Sequence, residues 1–162
     1  MEKTATPWPR TRDSRPRQSE SKRPSIRMLI AEDNLQLLDL LTFGLCEMGY
    51  NVDAANDGEA AWKILCSRPI DLLITDNDMP KLRGLDLVRR MRTQSHGQPV
   101  IFISGDSPIH DPNLRELLSP ATSLSKPFSI TQLIEKVNKM APESRQAAHR
   151  EFKNNALPQP HA

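Results

Sequence analysis

Asp71-Leu72-Leu73-Ile74-Thr75-Asp76-Asn77-Asp78-Met79-Pro80 is the stretch on which the reading of this chain turns. Leu72, Leu73 and Ile74 form an apolar run too short for a helix and without period-2 alternation, which suits a strand buried on both faces. The run ends in two carboxylates, Asp76 and Asp78, and Met79-Pro80 stops strand pairing because proline has no N–H to donate. A carboxylate at the carboxyl end of a buried parallel strand stands where open α/β sheets bind ligands. A turn rich in Asp and Asn would carry the same residues, so the surrounding chain has to decide.

Upstream, Ile26 to Ala31 reads as a first strand, followed directly by Glu32, Asp33 and Asn34. Asn34 is placed to cap a helix in which Leu35, Leu38, Leu41, Leu45 and Met48 recur at helical spacing, with Gly49 ending it. Asn51 to Ala55 is a second strand, and Asp57 caps a helix carrying Ala60, Ala61, Ile64 and Leu65. Downstream, Gly84 precedes a helix with Leu85, Leu87, Val88 and Met91 facing in and Arg89, Arg90 and Arg92 facing water. Val100 to Ser104 is a fourth strand ending in a hydroxyl. Residues 105–122 carry Pro108, Pro112 and Pro120 and leave room only for a short helix over 113–118. Ser123 to Ser125 is a weak fifth strand before Lys126-Pro127-Phe128. Ser129 then caps a last helix with Ile130, Leu133, Ile134, Val137 and Met140 in one stripe. Five alternations of strand and helix mean βα units, a parallel sheet and right-handed crossovers.

Composition bounds the rest. Residues 1–27 hold eight Lys/Arg against three acids, a net +5, so with +2 for the whole chain residues 28–162 net −3. With four prolines and almost nothing to bury, residues 1–25 are expected to be a disordered basic arm. Such an arm could favour nucleic acid or an anionic membrane surface. The reading preferred is a solubilising extension or a remnant of cloning, which leaves nucleic acid an unlikely partner. Residues 26–141 form the folded domain, and 142–162 a flexible polar tail. No run approaches the ~18 apolar residues of a membrane span, and no secretory signal follows the basic stretch. Cys46 and Cys66 have no CxxC spacing and read as reduced thiols of a cytoplasmic protein.

Four strand ends thus carry polar groups: Glu32 and Asp33, Asp76 and Asp78, Ser104, and Lys126. In a parallel sheet these ends share one edge. Acids gathered there repel unless a cation neutralises them, and oxygen-only ligands suit a hard ion, Mg²⁺ above all. A divalent metal, a lysine and a hydroxyl beside a carboxylate make a site for a phosphoryl group.

Over about Arg27 to Met140 the chain resembles the receiver domain of bacterial two-component response regulators. The resemblance is carried by Ile-Ala-Glu-Asp-Asn at 30–34, Ile-Thr-Asp-Asn-Asp-Met-Pro at 74–80, Gly84, Ser104-Gly105 and Ser-Lys-Pro-Phe at 125–128. It implies a doubly wound (βα)5 flavodoxin-like sheet of order 2-1-3-4-5, here with a shortened or irregular fourth helix. It further implies that Asp76 accepts a phosphoryl group from a histidine kinase or a histidine phosphotransfer protein and that the chain signals to a downstream protein. Asp33 and Asp76 would ligate Mg²⁺, with Glu32 nearby and the backbone carbonyl of Asp78 as a further ligand. Ser104 and Lys126 would contact the phosphoryl oxygens, and the Lys126-Pro127 bond would be cis. On this reading the chain is no turnover enzyme and catalyses only its own phosphorylation and dephosphorylation.

Two positions depart from the family. Ser123 stands where an aromatic switch residue is usual, and prolines flank the fourth helix. The movable element left is the loop 105–112, in which Asp106 adds a carboxylate. An Asp-x-Asp after an apolar strand, then a Ser and a Lys, also resembles the haloacid-dehalogenase phosphohydrolases, although their motif belongs to the first strand unit. The tail after Met140 is too short for a helix-turn-helix output domain, so a single-domain receiver is expected, or a receiver cut from a larger regulator or hybrid kinase.

Overall fold

The computed structural model describes residues 26–105 and 108–141. The arm at 1–25, the tail at 142–162 and Asp106 lie outside the described residues. The elements run β1 (Arg27–Ala31), α1 (Leu35–Glu47), β2 (Asn51–Ala55), α2 (Gly58–Ser67), β3 (Leu72–Thr75), α3 (Gly84–Thr93), β4 (Val100–Ile103), α4 (Pro112–Leu118), β5 (Ala121–Leu124) and α5 (Ile130–Met140). A single turn of 3₁₀-helix, Pro108–His110, precedes α4. The five strands are all parallel in the order β2-β1-β3-β4-β5, the flavodoxin-like arrangement expected.

β3 and β4 are buried at every residue, which is why neither shows an alternating pattern: alternate side chains enter two different apolar layers. On one face Met28, Ile30, Ile74 and Ile103 meet Leu38, Leu41 and Leu45 of α1 and Leu133 and Val137 of α5. On the other face Leu29, Leu73 and Phe102 meet Ala61, Trp62 and Leu65 of α2 and Leu87, Val88 and Met91 of α3. Local chemistry fixes the helix ends. Asn34 Oδ1 accepts from the Leu37 amide at 3.1 Å, and Gly49 leaves α1 at a left-handed φ of 85°. Ser129 and Gln132 form a reciprocal capping box on α5.

Several expectations shift. β5 covers 121–124 rather than 123–125, β1 starts at Arg27, and α4 starts one residue early with Pro112 in its first turn, where the missing N–H costs nothing. Gly84 is the first residue of α3, not its predecessor. Leu35 and Ile130 lie in first turns beyond the edge of the core and are exposed, while Trp62 is buried. Arg92 is half-buried rather than fully turned to water. Its guanidinium donates to the carbonyl oxygens of His96 at 2.6 Å and Leu118 at 2.9 Å, tying α3 to the end of α4. The Lys126-Pro127 bond is cis, as the resemblance implied, and so is Ser119-Pro120. Among the described residues no helix is long and apolar enough to cross a membrane.

The start of α3 lies hard against the end of β3. The Gly84 amide donates to the Asn77 carbonyl at 3.0 Å, and a Cβ at position 84 would overlap the Asp76 carbonyl oxygen. Gly84→Ala is therefore expected to cost about 1–3 kcal/mol, because backbone must move to admit one methyl. Urea unfolding of the variant beside the parent measures it.

Candidate functional site

Strand register brings the sequence-distant polar groups together. Ala31 pairs with Thr75, Thr75 with Phe102, and Ile103 with Leu124. Glu32 and Asp76 therefore leave neighbouring strands side by side, with Ser104 and Lys126 just beyond the next two strand ends. The ladder carries on into the site: the Asp76 amide donates to the Ala31 carbonyl at 2.9 Å and the Glu32 amide to the Ala55 carbonyl at 3.1 Å. Glu32, Asp76 and Ser104 are buried, whereas Asp33 is exposed.

Lys126 joins the acids. Its Nζ donates to Asp76 Oδ2 at 2.5 Å and to Glu32 Oε2 at 2.7 Å. Burial pulls the ammonium down, but its bonds to Asp76 and Glu32 more than offset this, so Lys126 sits above its ordinary value. Glu32 is also raised, because burial outweighs its hydrogen bonds from Lys126 and the Asn34 amide. Glu32, Asp33 and Asp76 each offer a carboxylate oxygen, and all three oxygens lie within 4.8 Å of one another. This all-oxygen donor set fits a hard divalent cation, and the exposed Asp33 leaves it an open side.

Asp78 departs from the group. Its amide donates to Asp76 Oδ1 at 3.1 Å, while its carboxylate turns outward to the Arg83 guanidinium at 2.8 Å. The side chains of Glu32, Asp33, Asp76 and Lys126 thus converge, Ser104 borders them on β4, and Asp78 contributes main chain.

Three supports were not legible in the sequence. Asn77 Oδ1 accepts from the Leu85 amide at 3.1 Å, pinning the β3–α3 loop to its helix. Lys81 takes a left-handed φ of 66°, and its Nζ reaches Asp57 Oδ2 at 2.5 Å. That ammonium, with the Ala60 amide, holds the Asp57 carboxyl below its ordinary range. Ser123 Oγ lies 3.4 Å from His110 Nε2, so an imidazole from the 3₁₀ turn meets the position where a switch ring was missing. No local motif signals these contacts, which join residues 8, 24 and 13 positions apart.

Removing the ammonium strands two buried carboxylates. Lys126→Met is expected to cost about 1–3 kcal/mol at pH 7 without divalent cations. Because the native Lys126 value is raised, its stabilisation is complete below the ordinary lysine value of 10.5 and is lost as pH rises through the native value. The gap between parent and Lys126→Met should therefore close above pH 10.5, as read by urea unfolding across that range.

A family model described as the response regulator receiver domain matches residues 28–138. The response regulator receiver protein CpdR of Brucella abortus is 32% identical over 114 residues, covering 70% of this chain and 95% of CpdR. Response regulator GtcR of Aneurinibacillus migulanus is 34% identical over 110 residues, covering 68% of this chain and 45% of GtcR. The chain spans about half the length of GtcR and of several other relatives it matches. The receiver domain of the Francisella response regulator 1452 superposes with a TM-score of 0.65 at 30% identity, covering 72% of this chain and 96% of that domain. The Asp-x-Asp pair follows the third strand of a sheet ordered 2-1-3-4-5, which removes the phosphohydrolase alternative. With this topology, this edge of acids around one lysine and these matches, the chain belongs to the response regulator receiver domain family.

Proposed function

We propose that this receiver takes a phosphoryl group from a phosphohistidine onto Asp76. The supporting observation is the position of Asp76: buried, at the carboxyl end of the central strand β3, and in contact with the Lys126 ammonium. Glu32 is a poorer nucleophile, since burial favours its protonated form. Asp33 is exposed, and the Lys126 ammonium bonds Asp76 and Glu32 instead. In the transfer an Asp76 carboxylate oxygen attacks phosphorus, the O–P bond forms as the N–P bond breaks, and the departing imidazole nitrogen takes a proton. The donor is a histidine kinase or a histidine phosphotransfer protein, and the output is a contact with a downstream protein in the cytoplasm.

Glu32, Asp33 and Asp76, with the Asp78 carbonyl, would hold Mg²⁺, which when bound neutralises charge on the phosphoryl oxygens. Lys126 compensates the charge added to Asp76, releasing one carboxylate contact for a phosphoryl oxygen. Ser104 stands at the end of β4 to offer its hydroxyl to the same group. With no ring at position 123, the output runs through the segment after Ser104, whose 3₁₀ turn meets Ser123 through His110.

Two measurements test this. Asp76→Asn should abolish acid-stable, hydroxylamine-sensitive labelling by a phosphohistidine donor while retaining the fold; label that persists on Asp78 would overturn the assignment. In the same assay Asp33→Ala should lower Mg²⁺ affinity and phosphotransfer rate together. A phosphoryl mimic with Mg²⁺ should shift the backbone resonances of residues 105–120 beyond those of Asp76 and its contacts. Unmoved resonances there would reject the output route and leave the phosphotransfer chemistry standing.

A further inference from the structure

The backbone does not ask for a lysine at position 81. It sits there at a left-handed φ of 66°, a conformation that glycine and asparagine enter at far lower steric cost. A residue held against its backbone preference directs attention to its side chain. The Lys81 Nζ donates to Asp57 Oδ2 at 2.5 Å. Asp57 is fitted to receive it. Its carboxylate is buried, and the other oxygen caps α2 by accepting from the Ala60 amide at 2.7 Å. The bond from Lys81 is the largest of the causes that hold this carboxyl below its ordinary range.

The pair joins two loops at the site edge of the sheet. Asp57 ends the connection from β2 to α2, and Lys81 lies between β3 and α3, 24 residues further on. Their main chains also meet: a Cβ on Gly58 would fall 2.0 Å from the Leu82 carbonyl oxygen, so α2 begins directly against the β3–α3 segment. Asn77 and Gly84 close the neck of that segment. The Gly84 amide donates to the Asn77 carbonyl at 3.0 Å, and the Leu85 amide donates to Asn77 Oδ1 at 3.1 Å. Residues 78–83 therefore form an arch on a fixed neck. Met79 is buried in the layer of α2 and α3 and holds the inner arm of the arch. The ion pair ties its crown to α2. Asp78, the first step of the arch, carries the carbonyl proposed for the divalent cation.

We infer, on the reading of Glu32, Asp33 and Asp76 as a Mg²⁺ site, that Lys81 and Asp57 are positioning residues for it, their ion pair holding the arch so that the Asp78 carbonyl stays in reach of the cation. Outer groups of this kind set the affinity for a metal without touching it. Charge alone predicts something different. Removing the Lys81 ammonium would strengthen the pull of the acids on a cation, and removing the Asp57 carboxylate would weaken it. Loss of positioning weakens binding in both cases, so the sign of the effect at Lys81 separates the two.

Lys81→Asn suits the test, since asparagine accepts the left-handed φ without the freedom of glycine and carries no ammonium. Asp57→Asn keeps an oxygen for the Ala60 amide and removes the charge. Mg²⁺ titration of the ¹⁵N-labelled full chain, followed by amide shifts, should give each single variant an affinity roughly three- to tenfold below that of the parent. The double variant should bind no more weakly than the weaker single one, because both substitutions remove the same contact. Unchanged or tighter Mg²⁺ binding by Lys81→Asn would overturn the proposal, as would single losses that multiply in the double variant. Lowered metal-free stability to urea with Mg²⁺ affinity intact would make the pair purely structural and overturn it too. Asp33→Ala tells the two readings apart. A parent that does not respond to Mg²⁺, or responds equally after Asp33→Ala, rejects the metal site and this proposal with it. Weakening by Asp33→Ala without weakening by Lys81→Asn rejects this proposal alone.

Discussion

One ammonium holds the site edge together. Two buried carboxylates and a third at the surface lie with oxygens within 4.8 Å of one another, a spacing at which unit charges repel by on the order of 3 kcal/mol at an effective dielectric of 20. Lys126 offsets this by bonding the two buried members at once. Burial drives Glu32 toward its neutral form and raises it, with repulsion from Asp76 a lesser contribution in the same direction. A resting site built this way is poised for a second cation and for an anion. The first relieves the acids, and the second engages the lysine that the acids now occupy. Neither demand requires the sheet to change.

Parallel register is what allows such a cluster to exist. Its members come from four strand ends spread over some ninety positions, and only a common strand direction puts them on one edge. This was the legible part of the chain. Short apolar runs that stop in Glu32, Asp76 and Ser104 announce both a buried strand and its polar terminus. Order and spacing then tie them to Lys126. Helices were legible where a cap met a stripe, as at Asn34 and Ser129.

What was not legible has two physical causes. Some residues are decided by partners far along the chain: Arg92 reads as one of three solvated arginines until the carbonyl of Leu118 is placed beside it, 26 residues away. Ser123 reads as the loss of a device until His110 is seen opposite. Others lie where local signals fade. β5 is an edge strand of small and polar residues, half-buried except at Leu124, so no periodicity marks its start. Leu35 and Ile130 continue their helical stripes in sequence but stand beyond the last layer that could cover them.

The close seat of α3 on β3 has a mechanical meaning. With the Asn77 carbonyl and side chain both bonded into the first turn of α3, and no room for even one methyl at Gly84, the main chain carrying Asp76 is an anvil. Charge arriving on that carboxylate cannot be absorbed by recoil of the strand. In the proposed transfer it acts on the side chains bonded around it, Lys126 and through it Glu32, rather than on the strand. A site transplanted onto another parallel sheet would need this glycine and this asparagine as much as its acids, because a nucleophile on a yielding support would spend the same charge on its own displacement.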